Sequence, residues 1–338
     1  MKKFVPALAL TSAAALMLAG CATTPEANGA GDDTITVVAS TNVYGSIAEQ
    51  IGGDRVEVTS IITSATQDPH SYEASARDRL TVQEADLVIE NGGGYDSFIE
   101  ALLEGSDAAV LTAVEFSHDF PGNEGHEEDA HAEEEGHDHA EEEAHAEEEA
   151  HADEEGHEGH DHIEGFNEHV WFDPRTMIHV VEDIAAHLAE LDPEGKADFT
   201  AAADEIIADL ETAEADLETL KTDAAGANVF ITEPLPGYLA EAAGLTDVTP
   251  EGFAEAVEEG SDVAPAVLLE ALQVIEGGDV SALLTNAQTG GAETDRVETA
   301  AEDAGIPVVA FTELLEDGSS YSEWMSDAIQ SLAAAVQQ

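Results

Sequence analysis

One stretch constrains this chain more than any other. Phe199, Ala203, Ile206, Leu210, Ala213, Leu217 and Leu220 recur at alternating spacings of four and three residues. That spacing draws an apolar stripe down one face of a helix, predicted over 193–223. About 30 residues at 1.5 Å each make a rod of roughly 45 Å, long enough to join two lobes rather than sit inside one. On each side of the stripe, β-branched runs alternate with helical segments. Before it come strands at Thr34–Ser40, Val56–Ile62, Asp86–Glu90 and Ala109–Leu111. After it come strands at Asn228–Thr232, Ala282–Thr285 and Pro307–Phe311. Strand–helix alternation implies mostly parallel sheets flanked by helices. The predicted architecture is two α/β lobes, 34–192 and 224–338, joined by a long rigid helix. The preceding helix is predicted over Pro174–Leu191, with Asp173 as its N-cap and Pro174 at its first position.

Two segments fall outside that pattern. Lys2 and Lys3 precede an apolar run from Phe4 to Met17, followed by Leu18-Ala19-Gly20-Cys21. This reads as a lipoprotein signal over 1–20, with Cys21 as the lipidated first residue. The apolar run is too short to span a bilayer comfortably. Cys21 is the only cysteine, so neither a disulfide framework nor a cysteine-based zinc site is available. Residues 21–33 are small and polar and read as a flexible tether. The second segment, 124–162, repeats His and Glu with a rough six-residue period and has almost nothing apolar larger than Ala. It is predicted to be a disordered insert in a surface loop. It holds nine of the 14 histidines.

The charge excludes one class of partner. With 75 acidic against 9 basic residues, phosphate neutralisation cannot drive nucleic-acid binding. Cations are the favoured partners. The excess persists outside the insert, so it reads as a general surface property.

Three residues are candidate metal ligands. His70 lies in Asp68-Pro69-His70-Ser71-Tyr72-Glu73, His169 in His169-Val170-Trp171-Phe172-Asp173-Pro174, and Glu233 directly after the strand Asn228–Thr232. All are placed at strand ends or loop-to-helix boundaries, where open α/β folds bind ligands. Two imidazoles and a carboxylate suit a borderline divalent ion. The same set suits a catalytic zinc, but no His-Glu-x-x-His helix and no evident general base accompany it. Gly92-Gly93-Gly94 has no phosphate-loop spacing and reads as a tight turn.

These segments, with Val37-Val38-Ala39-Ser40-Thr41-Asn42, Glu90-Asn91-Gly92-Gly93-Gly94-Tyr95-Asp96 and Gly237-Tyr238-Leu239, resemble the solute-binding lipoproteins of ABC transporters for zinc and manganese. The resemblance covers nearly everything from Thr34 onward except the insert. It implies that His70, His169 and Glu233 bind the metal between the lobes, and that little lobe movement accompanies release. It also implies an extracytoplasmic monomer, lipid-anchored to the membrane, that delivers its ion to a permease and its ATPase. The family's fourth ligand is expected after a later strand, yet Leu284–Gly291 has no carboxylate. Glu293, Asp295, water or an insert histidine are the candidates for it. The insert favours zinc as the ion and Glu233 favours manganese, with zinc ranked first. A surface metal buffer or cell-adhesion protein without a transporter is the remaining alternative.

Overall fold

The computed structural model describes residues 34–123, 163, 165–316 and 318–337. The signal, Cys21, the tether and the insert 124–162 lie outside the described residues. Thr34–Gln338 form one compact unit.

The first half is built from β1 (Ile35–Thr41), α1 (Asn42–Gly52), β2 (Val56–Ile62), α2 (Ala76–Gln83), β3 (Leu87–Glu90), α3 (Phe98–Leu103) and β4 (Ala109–Thr112). Two helices follow, α4 (Pro174–Leu191) and α5 (Lys196–Asp223). The second half contains β5 (Asn228–Ile231), α6 (Gly237–Ala242), β6 (Thr246–Asp247), α7 (Phe253–Glu258), α8 (Pro265–Glu276), β7 (Val280–Asn286), α9 (Ala292–Ala304), β8 (Val308–Phe311) and α10 (Tyr321–Val336). Each half contributes one four-stranded sheet, in the orders β2-β1-β3-β4 and β6-β5-β7-β8. Every pairing is parallel. The two sheets share one topology, and in both the strand order reverses beside the first strand of the half. At such a switch point the connections leave in opposite directions and open a crevice at the carboxyl ends of the strands.

Local signals set the helix ends. Asp173 accepts a hydrogen bond from Arg175 N and Pro174 starts α4, as the sequence predicts. Ser75 and Ser320 close capping boxes on α2 and α10. The long helix begins at Lys196 rather than 193, because Asp192 Oδ1 accepts from Glu194 N and Gly195 N and holds that segment as a turn. The missed elements are β6 and α7, both between α6 and α8.

The α5 stripe explains how the halves are held. All seven predicted stripe residues are buried. They belong to a hydrophobic core that also includes Val37, Ile47 and Ile89 from the first half and Val229, Leu284 and Leu332 from the second. α5 packs on α1 and α4, and also on α6 and α10. It is therefore part of a continuous core as well as a connector, and opening the halves would expose apolar surface along it.

Among the described residues no helix is long and apolar enough to cross a membrane.

Candidate metal centre

A layer of buried polar residues lies where the two sheets' carboxyl ends meet. It includes Asn91, Asp96, Glu168, His169, Glu233, Asn286 and Glu313. Burying so many polar groups is costly unless each finds a partner.

His70 sits on the loop between β2 and α2. Asp68 shapes that loop, since its carboxylate accepts from His70 N at 2.9 Å and from Ser71 Oγ at 2.7 Å. The imidazole packs edge-on against the buried ring of Tyr95, with centroids 4.9 Å apart. Tyr95 is delivered by the glycine turn. Gly92, Gly93 and Gly94 all have positive φ, and a Cβ at Gly92 would meet Thr112 Cγ2 at 2.5 Å. His169 precedes the short 3-10 turn Val170–Phe172 and is only 2% exposed. Asn167 Oδ1 accepts from His169 N at 3.1 Å and lies 2.7 Å from His169 Nδ1. The His70 and His169 ring centroids are 6.3 Å apart. Trp171 packs against His169 at 5.1 Å and against Tyr95 at 4.6 Å. Two imidazoles thus share an aromatic floor.

The third member of the cluster is one that sequence reasoning missed. Glu258, at the end of α7, places Oε1 3.6 Å from His169 Nε2. One ligand atom each from His70, His169 and Glu258 all lie within 4.8 Å of one another. Ligand atoms around a tetrahedral zinc stand roughly 3.3–3.5 Å apart, so a contraction of at most about 1.5 Å would close this set on an ion. Glu233 lies on the turn after β5, where the sequence places it, but outside that three-residue group. Its Oε2 accepts from Asn286 Nδ2 at 2.8 Å and its Oε1 from Thr289 Oγ1. Glu313, after β8, accepts from Tyr95 Oη at 3.0 Å and from Asn286 Nδ2 at 2.7 Å. Asn286 therefore spends both amide protons on two carboxylates.

Electrostatics follow from this crowding. Burial pushes the Glu258 carboxyl well above its usual range, and the charges of Glu168, Glu233 and Glu313 push it further. Burial raises Glu313 to about 7, against the hydrogen bonds from Asn286 and Tyr95, with Glu233 and Asp68 adding repulsion. Burial also raises Glu233, opposed by Thr289 and Asn286. Among the described residues no Lys or Arg pairs with any of the three. Such a cluster is stabilised by a cation, either protons or a metal ion.

The two carboxylates among the candidates for the fourth ligand lie elsewhere. Glu293 and Asp295 sit in the first turn of α9, half-buried and exposed respectively, and neither joins the cluster. His179 and His187 pair with Glu182 and Asp183 on their own helix.

Comparison with known proteins gives a consistent picture. The sequence model of the zinc-uptake complex component A family (periplasmic, ZnuA) matches residues 37–335. The manganese-binding lipoprotein MntA of Halalkalibacterium halodurans is 25% identical over 201 residues, 59% of this chain and 54% of that protein. The zinc-binding lipoprotein AdcA of Streptococcus pneumoniae serotype 4 is 26% identical over 203 residues, 59% of this chain and 34% of that protein. The chain thus matches about half the length of the first and a third of the second. The periplasmic zinc binding protein TroA from Treponema pallidum superposes with a TM-score of 0.67 at 16% identity, covering 90% of this chain and 100% of that one, which establishes the fold. Both relatives are named as metal-binding lipoproteins, which sets the catalytic-zinc reading aside. With the match running along nearly all of the described residues, the chain belongs to the zinc-uptake complex component A family.

Proposed function

We propose that this chain is the extracytoplasmic metal-capture component of an ABC transporter. It binds one divalent cation between its lobes and delivers it to a membrane permease with its ATPase. His70, His169 and Glu258 form the first contacts, and Glu233 turns from its hydrogen bonds to complete the set. Cys21 carries the lipid anchor. The observation behind this reading is the convergence of two imidazoles with the buried Glu233 and Glu313 and the half-buried Glu258, and no Lys or Arg among them. Imidazole donors suit zinc, and zinc outranks manganese at most nitrogen and oxygen sites, so zinc is the proposed cargo. A manganese reading draws on one specific observation, the unusual carboxylate content contributed by Glu233, Glu258 and Glu313. The test is metal analysis of protein purified without chelators, with and without residues 124–162. One equivalent of zinc retained in both forms supports the proposal. Absence of any tightly held divalent ion in both refutes it, and manganese in zinc's place decides for the second reading.

A further inference from the structure

The hydrogen bonds of Asn167 form a network that the ligand set alone does not explain. Its side-chain amide has a fixed orientation. Nδ2 donates to the Pro234 carbonyl at 3.0 Å, and Oδ1 accepts the His169 backbone N–H at 3.1 Å. A flipped amide would set a carbonyl against a carbonyl and N–H against N–H, so Oδ1 must be the atom that faces the ring. At 2.7 Å from an acceptor, His169 Nδ1 has to carry the proton. The lone pair is thereby left on Nε2, the nitrogen 3.6 Å from Glu258 Oε1. Asn167 also ties the histidine to the other lobe. Pro234 follows Glu233 directly, and the Asn167 backbone carbonyl accepts from Tyr238 Oη of α6 at 2.7 Å. The approach is close, since a Cβ at Gly237 would come within 2.8 Å of Asn167 Nδ2.

Building on the site proposed above, we propose that Asn167 is a positioning residue. Its amide sets which ring nitrogen of His169 is offered to the metal ion and couples that histidine to the Glu233 turn of the opposite lobe. An ion held by His169 and Glu233 then pulls on two groups already bridged through one side chain. Its escape requires that bridge to yield. Partners that fix a ligating histidine in this way typically contribute 10- to 100-fold to metal affinity.

The experiment compares wild type, N167A, N167D and H169A as purified proteins, with zinc as the probe. Zinc affinity is read by competition with a chromophoric chelator, and the dissociation rate by stopped flow into excess EDTA. The His169 tautomer is read by long-range proton–nitrogen NMR on the metal-free protein. N167A should weaken zinc binding roughly 10- to 100-fold and populate both tautomers. N167D keeps an acceptor beside Nδ1 but loses the donor to Pro234. It should retain the Nδ1–H tautomer yet release zinc faster, and it decides the matter if N167A fails to fold. A variant with altered packing alone would not change the tautomer. N167A or N167D indistinguishable from wild type in tautomer and release rate, while H169A loses zinc, overturns the role of Asn167 and leaves the site intact. Wild-type zinc affinity in H169A, or none in wild type, overturns the site and this role together.

Discussion

Glu313 is 3% exposed and faces Glu233 across one asparagine side chain, so its charge should weigh on the metal-free protein. Its carboxyl is raised from 4.5 to about 7, chiefly by burial. The folded state therefore holds the proton more tightly than the unfolded state. Stability from this group is fully present below pH 4.5 and is lost as pH rises through about 7. Each pH unit in that window costs about 1.4 kcal/mol for one proton. From pH 5 to 7 the loss is on the order of 3 kcal/mol. Glu313→Gln removes the titration while retaining partners for Tyr95 and Asn286. The variant should match wild type near pH 5 and exceed it by up to ~3 kcal/mol at pH 7.5 in chelator. Added zinc should reverse the order, because the ion stabilises the charged cluster of wild type and loses a neighbouring carboxylate in the variant. The assay is urea denaturation at half-unit pH steps, with and without metal. Parallel stability curves for the two proteins from pH 5 to 8 would refute the argument, since Glu313 would then titrate alike folded and unfolded.

Other perturbations probe the remaining elements. His70→Ala or His169→Ala should abolish the tight equivalent with the fold retained, whereas deleting 124–162 should spare it; equilibrium dialysis with circular dichroism checks both. Glu258→Gln should weaken zinc binding by at least tenfold, while Glu293→Gln and Asp295→Asn should leave it within twofold, as read by chelator competition. Leu210→Ala, in the buried α5 stripe, should cost about 2–5 kcal/mol in denaturant unfolding without changing the metal-bound stoichiometry.

Much of this molecule is legible wherever the signal is local. The Asp173-Pro174 start of α4 and the stripe of α5 depend on neighbours in sequence, and both stand where periodicity and capping place them. The parallel sheets follow from strand–helix alternation, and His70 and His169 fall together because both segments end at the same crevice. Glu258 was not legible. It lies in the run Glu255-Ala-Val-Glu258-Glu259, which reads as a solvated acidic face, whereas the fold half-buries it against His169 from the first half. The buried Phe253, stacked edge-on with Phe230, is the one local sign that this run packs inward. The missing fourth carboxylate has a similar explanation. Asn286 ends β7 where an acid was expected, and its amide holds Glu233 and Glu313 together instead. That Glu313 after β8 belongs to the cluster is visible only once Tyr95 is seen to reach it across the cleft.

The most direct test of the central claim is zinc K-edge X-ray absorption on protein lacking residues 124–162 and loaded with one equivalent of zinc. The proposed site predicts two imidazole ligands at about 2.0–2.1 Å, completed by carboxylate oxygen. In His70→Ala or His169→Ala the two-imidazole signal should be lost together with the tight equivalent. A shell of oxygen alone, or two imidazoles that persist in both variants, would place the ion elsewhere and contradict the site.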